Sequence, residues 1–250
     1  MNYPVACSLF AGLLWFAPMP VFAGYDEGLA AYNKNDYAAA RKEMAPLAEQ
    51  GDANAQRYLG NLYANGQGVA LDYKLALLWY TKAAEQGDAK SQNNLGFMYE
   101  NGLGVGLDYQ QAVLWYTKAA EQGNAYAQNN LGFMYEIGQG VQQNYQQAVI
   151  WYTKAAEQGN ANAQKNLGYM YEIGRGVLKD YKAAVLWYSK AAEQGNAEAQ
   201  GNLGNIYRLG LGVEQNLAEA ERLLAIASKN GNYWAEVKLN ELLENKSQKK

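Results

Sequence analysis

The sequence predicts an all-α fold, an α-solenoid in which helix-turn-helix units of 36 residues stack into a right-handed superhelix. Three observations predict it. Trp79, Trp115, Trp151 and Trp187 fall 36 residues apart. Each opens the same block, Trp-Tyr-Thr-Lys-Ala-Ala-Glu-Gln-Gly, with Ser189 in place of Thr in the fourth copy. Leu-Gly pairs at 59–60, 95–96, 131–132, 167–168 and 203–204 stand between these blocks, each followed by a Tyr and a Gly-x-Gly-Val turn. A fixed period of this length marks an array of short units, none of which can bury its apolar face alone.

Residues 1–23 stand apart from the array. Val5 to Phe16 is almost wholly apolar, Pro18 and Pro20 follow, and Val21-Phe22-Ala23 offers small or moderate side chains before a cut after Ala23. The segment reads as a secretory signal peptide. Its apolar run is shorter than the roughly 20 residues needed to cross a bilayer, so no stable membrane insertion is expected after cleavage. Cys7, the one cysteine, lies inside it. A mature chain without cysteine then depends on packing alone, in a periplasmic or secreted setting that permits disulfides.

Residues 24–36 are expected to form an N-terminal capping helix, from Asp26 to about Lys34. Five full units follow over 37–216, beginning at Tyr37, Tyr73, Tyr109, Tyr145 and Tyr181. In the second, Asp72 suits an N-cap, since its carboxylate can accept from unpaired amides of the first turn. That helix reaches about Gln86, and Gly87 supplies a left-handed stop. Asp88 caps the next helix, which ends near Asn101, and Gly102 and Gly104 make the turn. Tyr73, Ala76, Leu77, Tyr80, Ala83 and Ala84 form the buried stripe of one helix; Ser91, Leu95, Met98 and Tyr99 form that of the other. Gly96 costs about 1 kcal/mol against Ala inside a helix. Its recurrence points to the close approach of a helix or of a bulky Trp or Tyr ring. Pro46 takes the place of the repeated Lys and is expected to kink its helix. A degenerate unit begins at Leu217 within 217–250, ahead of a C-terminal capping helix, Tyr233 to Glu244, and a polar tail.

Composition narrows function. Charged residues are 18% and apolar residues 49%, which suits an ordered chain and not a disordered one. The formal charge is −3 with the signs interspersed, so nucleic acid is not expected as a partner. There is no histidine, which removes the usual general base near neutral pH and the commonest zinc ligand. Ser247 and Lys250 match Ser-x-x-Lys only by chance in the tail, and the Gly-x-Gly-Val loops are periodic turns and not phosphate cradles. No catalytic, cofactor or metal site is expected, and the protein is read as a binding scaffold and not an enzyme.

The pattern Ala-x-Ala-Gln-x-x-Leu-Gly-x-x-Tyr-x-x-Gly-x-Gly-Val followed by Trp-Tyr-x-Lys-Ala-Ala-Glu-Gln-Gly resembles the Sel-one-like repeat (SLR) family, a relative of the tetratricopeptide repeat. The likeness covers about residues 37–231. It implies a scaffold for protein complexes, and many exported bacterial members act in the envelope or toward a host. One cysteine-rich branch of Helicobacter type is linked to β-lactam binding or weak β-lactamase activity. That alternative departs from this chain, whose repeats carry no cysteine; a nitrocefin assay separates the two readings.

A helical wheel places Asn93, Phe97 and Glu100 opposite the buried stripe. Their counterparts are Asn129, Phe133 and Glu136, then Lys165, Tyr169 and Glu172. The end units differ, with Arg57, Asn61 and Ala64 at one end and Gly201, Asn205 and Arg208 at the other. By the resemblance, this helix lines the concave face. The aromatic row Phe97–Phe133–Tyr169 and the carboxylate row Glu100–Glu136–Glu172 are therefore candidates to hold a protein or peptide ligand. Packing of the rings between neighbouring units is the competing role. Asn94, Asn130, Asn166 and Asn202 form a further ladder, expected to satisfy the solenoid's own carbonyls. The Trp row is expected in the core. Lys82, Lys118, Lys154 and Lys190 are expected in solvent, paired with Glu85, Glu121, Glu157 and Glu193.

Overall fold

The computed structural model describes residues 24–247, which form thirteen helices and no strand among them. The proposed signal peptide and Cys7 lie outside the described residues. A leading helix, α1 (Tyr25–Asn33), covers α2 (Tyr37–Glu49). One layer then takes α3 (Ala53–Asn65), α5 (Ala89–Asn101), α7 (Ala125–Ile137), α9 (Ala161–Ile173) and α11 (Ala197–Leu209). The other takes α4 (Tyr73–Glu85), α6 (Tyr109–Glu121), α8 (Tyr145–Glu157), α10 (Tyr181–Glu193) and α12 (Leu217–Lys229). Helix α13 (Tyr233–Ser247) closes the far end. Each helix packs chiefly on its neighbours in sequence, which is the pattern of an α-solenoid.

The punctuation acts as its chemistry requires. The Asp72 carboxylate accepts from the Lys74 and Leu75 amides at 2.9 and 3.0 Å, and that of Asp88 from the Ser91 amide at 2.7 Å. Each such cap is worth about 1 kcal/mol. Gly102 and Gly104 take φ of 65° and 70°. A Cβ on Gly104 would lie 2.4 Å from the Tyr73 carbonyl oxygen, so the turn can rest on the start of α4 only as glycine. Helix α2 continues through Pro46 to Glu49.

The core is a chain of similar clusters. In the middle one, Ala112, Tyr116, Ala119 and Ala120 of α6 meet Ala127, Leu131 and Met134 of α7, and Trp151 of the next unit packs against them. Trp187 does the same one unit on. The tryptophans are half-buried struts between units. The tyrosine beside each is buried completely in three cases: Tyr116, Tyr152 and Tyr188 are 0% exposed. Burying such a side chain contributes about 2–3 kcal/mol. These rings explain the mid-helix glycines. Built on Gly96, Gly132 or Gly168, a Cβ would lie 2.7–2.8 Å from the nearest atom of the facing ring.

A buried glutamine ladder ties the units together. Gln56, Gln92, Gln128 and Gln164 are all within 5% of full burial. Each donates from Nε2 to a carbonyl eight residues back, at Ala48, Ala84, Ala120 and Ala156 respectively, at 3.0–3.1 Å. Each accepts at Oε1 from Gln86, Gln122, Gln158 or Gln194, thirty residues ahead, at 2.7–2.8 Å. At the end, Asn230 reaches Gln200 with its shorter arm at 3.2 Å. Both ends of each buried amide are thus satisfied, once within a unit and once across to the next.

The repeated lysines are exposed, as expected, but they are not paired with the glutamates three residues ahead. The ammonium groups of Lys82, Lys118, Lys154 and Lys190 lie 4.0–4.4 Å from the ring centres of Trp79, Trp115, Trp151 and Trp187. On a helix both the residue three back and the residue three ahead are in reach. The indole face wins because it attracts a cation and covers the apolar stem of the lysine.

Candidate functional site

Helices α5, α7 and α9 present one outward face, and the sequence-predicted rows all lie on it. Phe97, Phe133 and Tyr169 are exposed at 50, 42 and 40%. They are not packed away between units. The positions before and after them in the array are Asn61 and Asn205, so the ring row is confined to three units.

The carboxylate row has two duties. Glu100, Glu136 and Glu172 are half-buried. One oxygen of each accepts from the hydroxyl of Tyr116, Tyr152 or Tyr188, at 2.5, 2.6 and 2.7 Å. Burial first, and then the adjacent carboxylate, push these three phenols well above their ordinary value near 10, because a phenolate there would be poorly solvated and next to a like charge. The hydroxyls therefore serve as fixed donors. They hold each carboxylate at the edge of the face.

The amide row is also knitted together. Asn130 donates to the Asn93 side-chain oxygen at 3.2 Å, and Asn166 to that of Asn129 at 3.0 Å. Of the ladder expected to meet backbone carbonyls, Asn94, Asn130 and Asn166 bond instead to side-chain amides of the preceding unit, since these lie level with them across the layer; Asn202 has Lys165 at that place and makes no such bond. Lys165 replaces the asparagine in the third unit and pairs with Glu198 at 2.9 Å. Hollows separate the units. One of about 290 Å³ is lined by Phe133, Glu136, Lys165, Asn166 and Tyr169, and one of about 340 Å³ lies beside Asn61, Asn94 and Phe97.

The burial of Ser91 follows the predicted stripe, but its unpartnered hydroxyl and the ion pair made by Asp88 were not foreseen. Arg57 and Asp88 form a largely buried ion pair at 2.6 Å, so Asp88 caps α5 with one oxygen and holds Arg57 with the other. Ser91 is fully buried with no partner for its hydroxyl. Alanine fills its place in the other units, and that difference was visible in the sequence.

Stacked helix pairs with one continuous polar and aromatic face define a repeat scaffold of the α-solenoid class. Five copies of the Sel1 repeat match, at residues 53–88, 89–124, 125–160, 161–196 and 197–232. The chain belongs to the Sel1 repeat family, whose members are in general protein-interaction scaffolds and not catalysts. These copies are cut half a unit out of phase with a count from Tyr37; the period is unchanged. A Sel1 repeat protein from Oxalobacter formigenes is 38% identical, with a TM-score of 0.81 over 86% of each chain. A protective antigen present in uropathogenic Escherichia coli strains is also 38% identical with a TM-score of 0.81 over 89% of this chain. The chain spans about half of that protein, 48% of its length. A Sel1 repeat protein from Klebsiella pneumoniae shares the fold at 23% identity, with a TM-score of 0.53 over 80% of this chain and 97% of its own. Comparison with curated proteins gives no match.

Proposed function

We propose that the chain is an exported scaffold of the bacterial envelope or cell surface, and that the face of α5, α7 and α9 holds a segment of a partner protein. One observation carries this reading. Three large rings stand 40–50% exposed at the same place in successive units, although the fold has an asparagine at that place in the units on either side. Exposed rings flanked by polar groups are the usual form of a binding patch. Export is supported by the signal-like residues 1–23. It is supported also by likeness to a protein that serves as a protective antigen. No described helix is long and apolar enough to cross a membrane.

In-cell crosslinking followed by capture of the tagged chain tests the binding face. A Phe97→Ser, Phe133→Ser, Tyr169→Ser triple variant, shown by circular dichroism to be folded, is expected to lose the captured partner. Unchanged capture would place the binding surface elsewhere. Fractionation with mass analysis of the mature end tests export, with Gly24 expected as the first residue.

A further inference from the structure

The last unit leaves a place unfilled. Trp151 packs on the core cluster that holds Ala120 and Leu131, and Trp187 on the one that holds Ala156 and Leu167. One period on from Trp187, the chain has Leu223 in place of tryptophan. The equivalents of Ala156 and Leu167 are there Ala192 and Leu203. Both line a hollow of about 350 Å³ formed by α10, α11 and α12, together with Tyr207, Leu223 and Ile226. Its size falls in the usual range of a ligand cleft, about 300–1,000 Å³.

Three observations tie this hollow to the missing ring. Ala84, Ala120 and Ala156 are 2% exposed, whereas Ala192 is half-buried, so the methyl that is covered in the earlier units is open here. Leu223 does not cover it, being drawn into the core beside Tyr188 and Leu203 at 4% exposure. Ser189, the one departure in the repeated Trp-Tyr-Thr-Lys block, lines the same hollow. It lacks the γ-methyl of Thr117 and Thr153 and takes less room. The hollow thus has the floor on which this fold elsewhere seats an indole, and no ring to fill it.

The rim sets the charge of what enters. In the earlier units a lysine lies 4.0–4.4 Å from each indole centre. Ile226 stands at that place here, so an incoming ring finds no such cation. Arg222 gives its Nε and Nη hydrogens to Glu219, at 2.8 and 2.6 Å. Glu193, also on the rim, makes no ion pair among the described residues. A ligand that brings its own cation beside the ring therefore gains an attraction to a carboxylate.

We propose that this hollow seats a tryptophan side chain of a partner protein, one that carries a lysine or arginine next to it in sequence. The indole rests on Ala192 and Leu203 as Trp187 rests on the cluster of Ala156 and Leu167, and the cation faces Glu193. An aromatic side chain of this size can bury about 150–250 Å². The hollow shares no residue with the rows of α5, α7 and α9, so the site stands or falls independently of the binding face.

Fluorine NMR tests this with an acetylated Lys-Trp-Lys peptide that carries 5-fluorotryptophan, titrated with the folded chain. The signal is expected to shift and broaden saturably. A Glu-Trp-Glu peptide with the same label is expected to bind about two- to fivefold more weakly, with a gap that narrows as salt is added. Leu223→Trp places the chain's own indole in the hollow. It is expected to abolish binding and to melt at or above the wild type. Ser189→Leu, which fills the hollow from α10, is expected to abolish binding too, and carries the test should Leu223→Trp fail to fold. The Phe97→Ser, Phe133→Ser, Tyr169→Ser variant is expected to bind as the wild type does. The proposal is overturned by no saturable shift with the wild type, by binding retained in the filled variants, by binding lost in the ring variant, or by equal binding of Glu-Trp-Glu. Trp234 is 41% exposed near the same end of the array. If sedimentation shows self-association that Leu223→Trp abolishes, the occupant is a second copy and the partner assignment falls.

Discussion

Replacing Gly132 by alanine tests the packing of the array at its tightest point. In the middle of a helix, Gly→Ala gains about 1 kcal/mol of stability from backbone entropy alone. Here the new methyl would lie 2.8 and 2.9 Å from the Cδ1 and Cε1 atoms of Tyr152. The ring cannot easily retreat. It is 0% exposed, and its hydroxyl is held by Glu136 at 2.6 Å. Overpacking of this kind costs about 1–3 kcal/mol. The two terms leave a net loss of about 0–2 kcal/mol, or a fall in Tm of up to about 8 °C for a chain of this size. Urea and thermal melts followed by circular dichroism measure it. A Tyr152→Leu background should relieve the clash and give a favourable coupling of about 1 kcal/mol in the double-mutant cycle. Gly132→Ala more stable than the wild type by the full gain of about 1 kcal/mol would refute the close-approach account of the repeated glycine.

Gln128→Leu breaks one rung of the buried ladder, leaving the Gln158 amide without its acceptor. It is expected to cost about 1–2 kcal/mol in urea melts. Lys118→Met keeps the apolar stem but removes the charge 4.0 Å from the Trp115 ring centre. It should cost about 0.5–1 kcal/mol, while Glu121→Gln leaves stability unchanged in the same melts. Alkali should unfold the chain through Tyr116, Tyr152 and Tyr188. Their phenols are raised by burial in the folded state, so the unfolded chain loses those protons first above pH 10. Stability is therefore full below pH 10 and falls as pH rises beyond it. Phenolate absorbance for these three is expected to appear only with loss of helical circular dichroism. Its appearance in the folded chain would contradict their buried placement.

The helix pairs, their caps and the glycine turns were legible because each depends on residues adjacent in sequence. Asp72 and Asp88 need only the amides two or three places on. The close ring over Gly96 was legible in kind, since a glycine repeated inside a helix demands a neighbour, and the spacing offered few large ones. The glutamine ladder was not. A glutamine beside an apolar stripe reads as surface, and its burial depends on a carbonyl eight residues back and an amide thirty residues ahead. Lys82 had an acceptor three residues ahead and a ring three residues behind, and the pattern alone does not rank them. The ring, amide and carboxylate rows were visible from helical geometry. What was hidden is that Tyr116, Tyr152 and Tyr188 occupy one oxygen of each carboxylate, which fixes the direction of the other.

The reach of the glutamine bonds has a consequence for how such a chain changes length. Each amide grips its own unit and the next one and nothing further. A unit can therefore be inserted or removed between two others, and the cut ends find identical partners. The exposed face of α5, α7 and α9 would then lengthen by one unit, without redesign of what is already there. Duplication or loss of one repeat in the gene would thus set the length of the array in whole units, each joint as strong as the last.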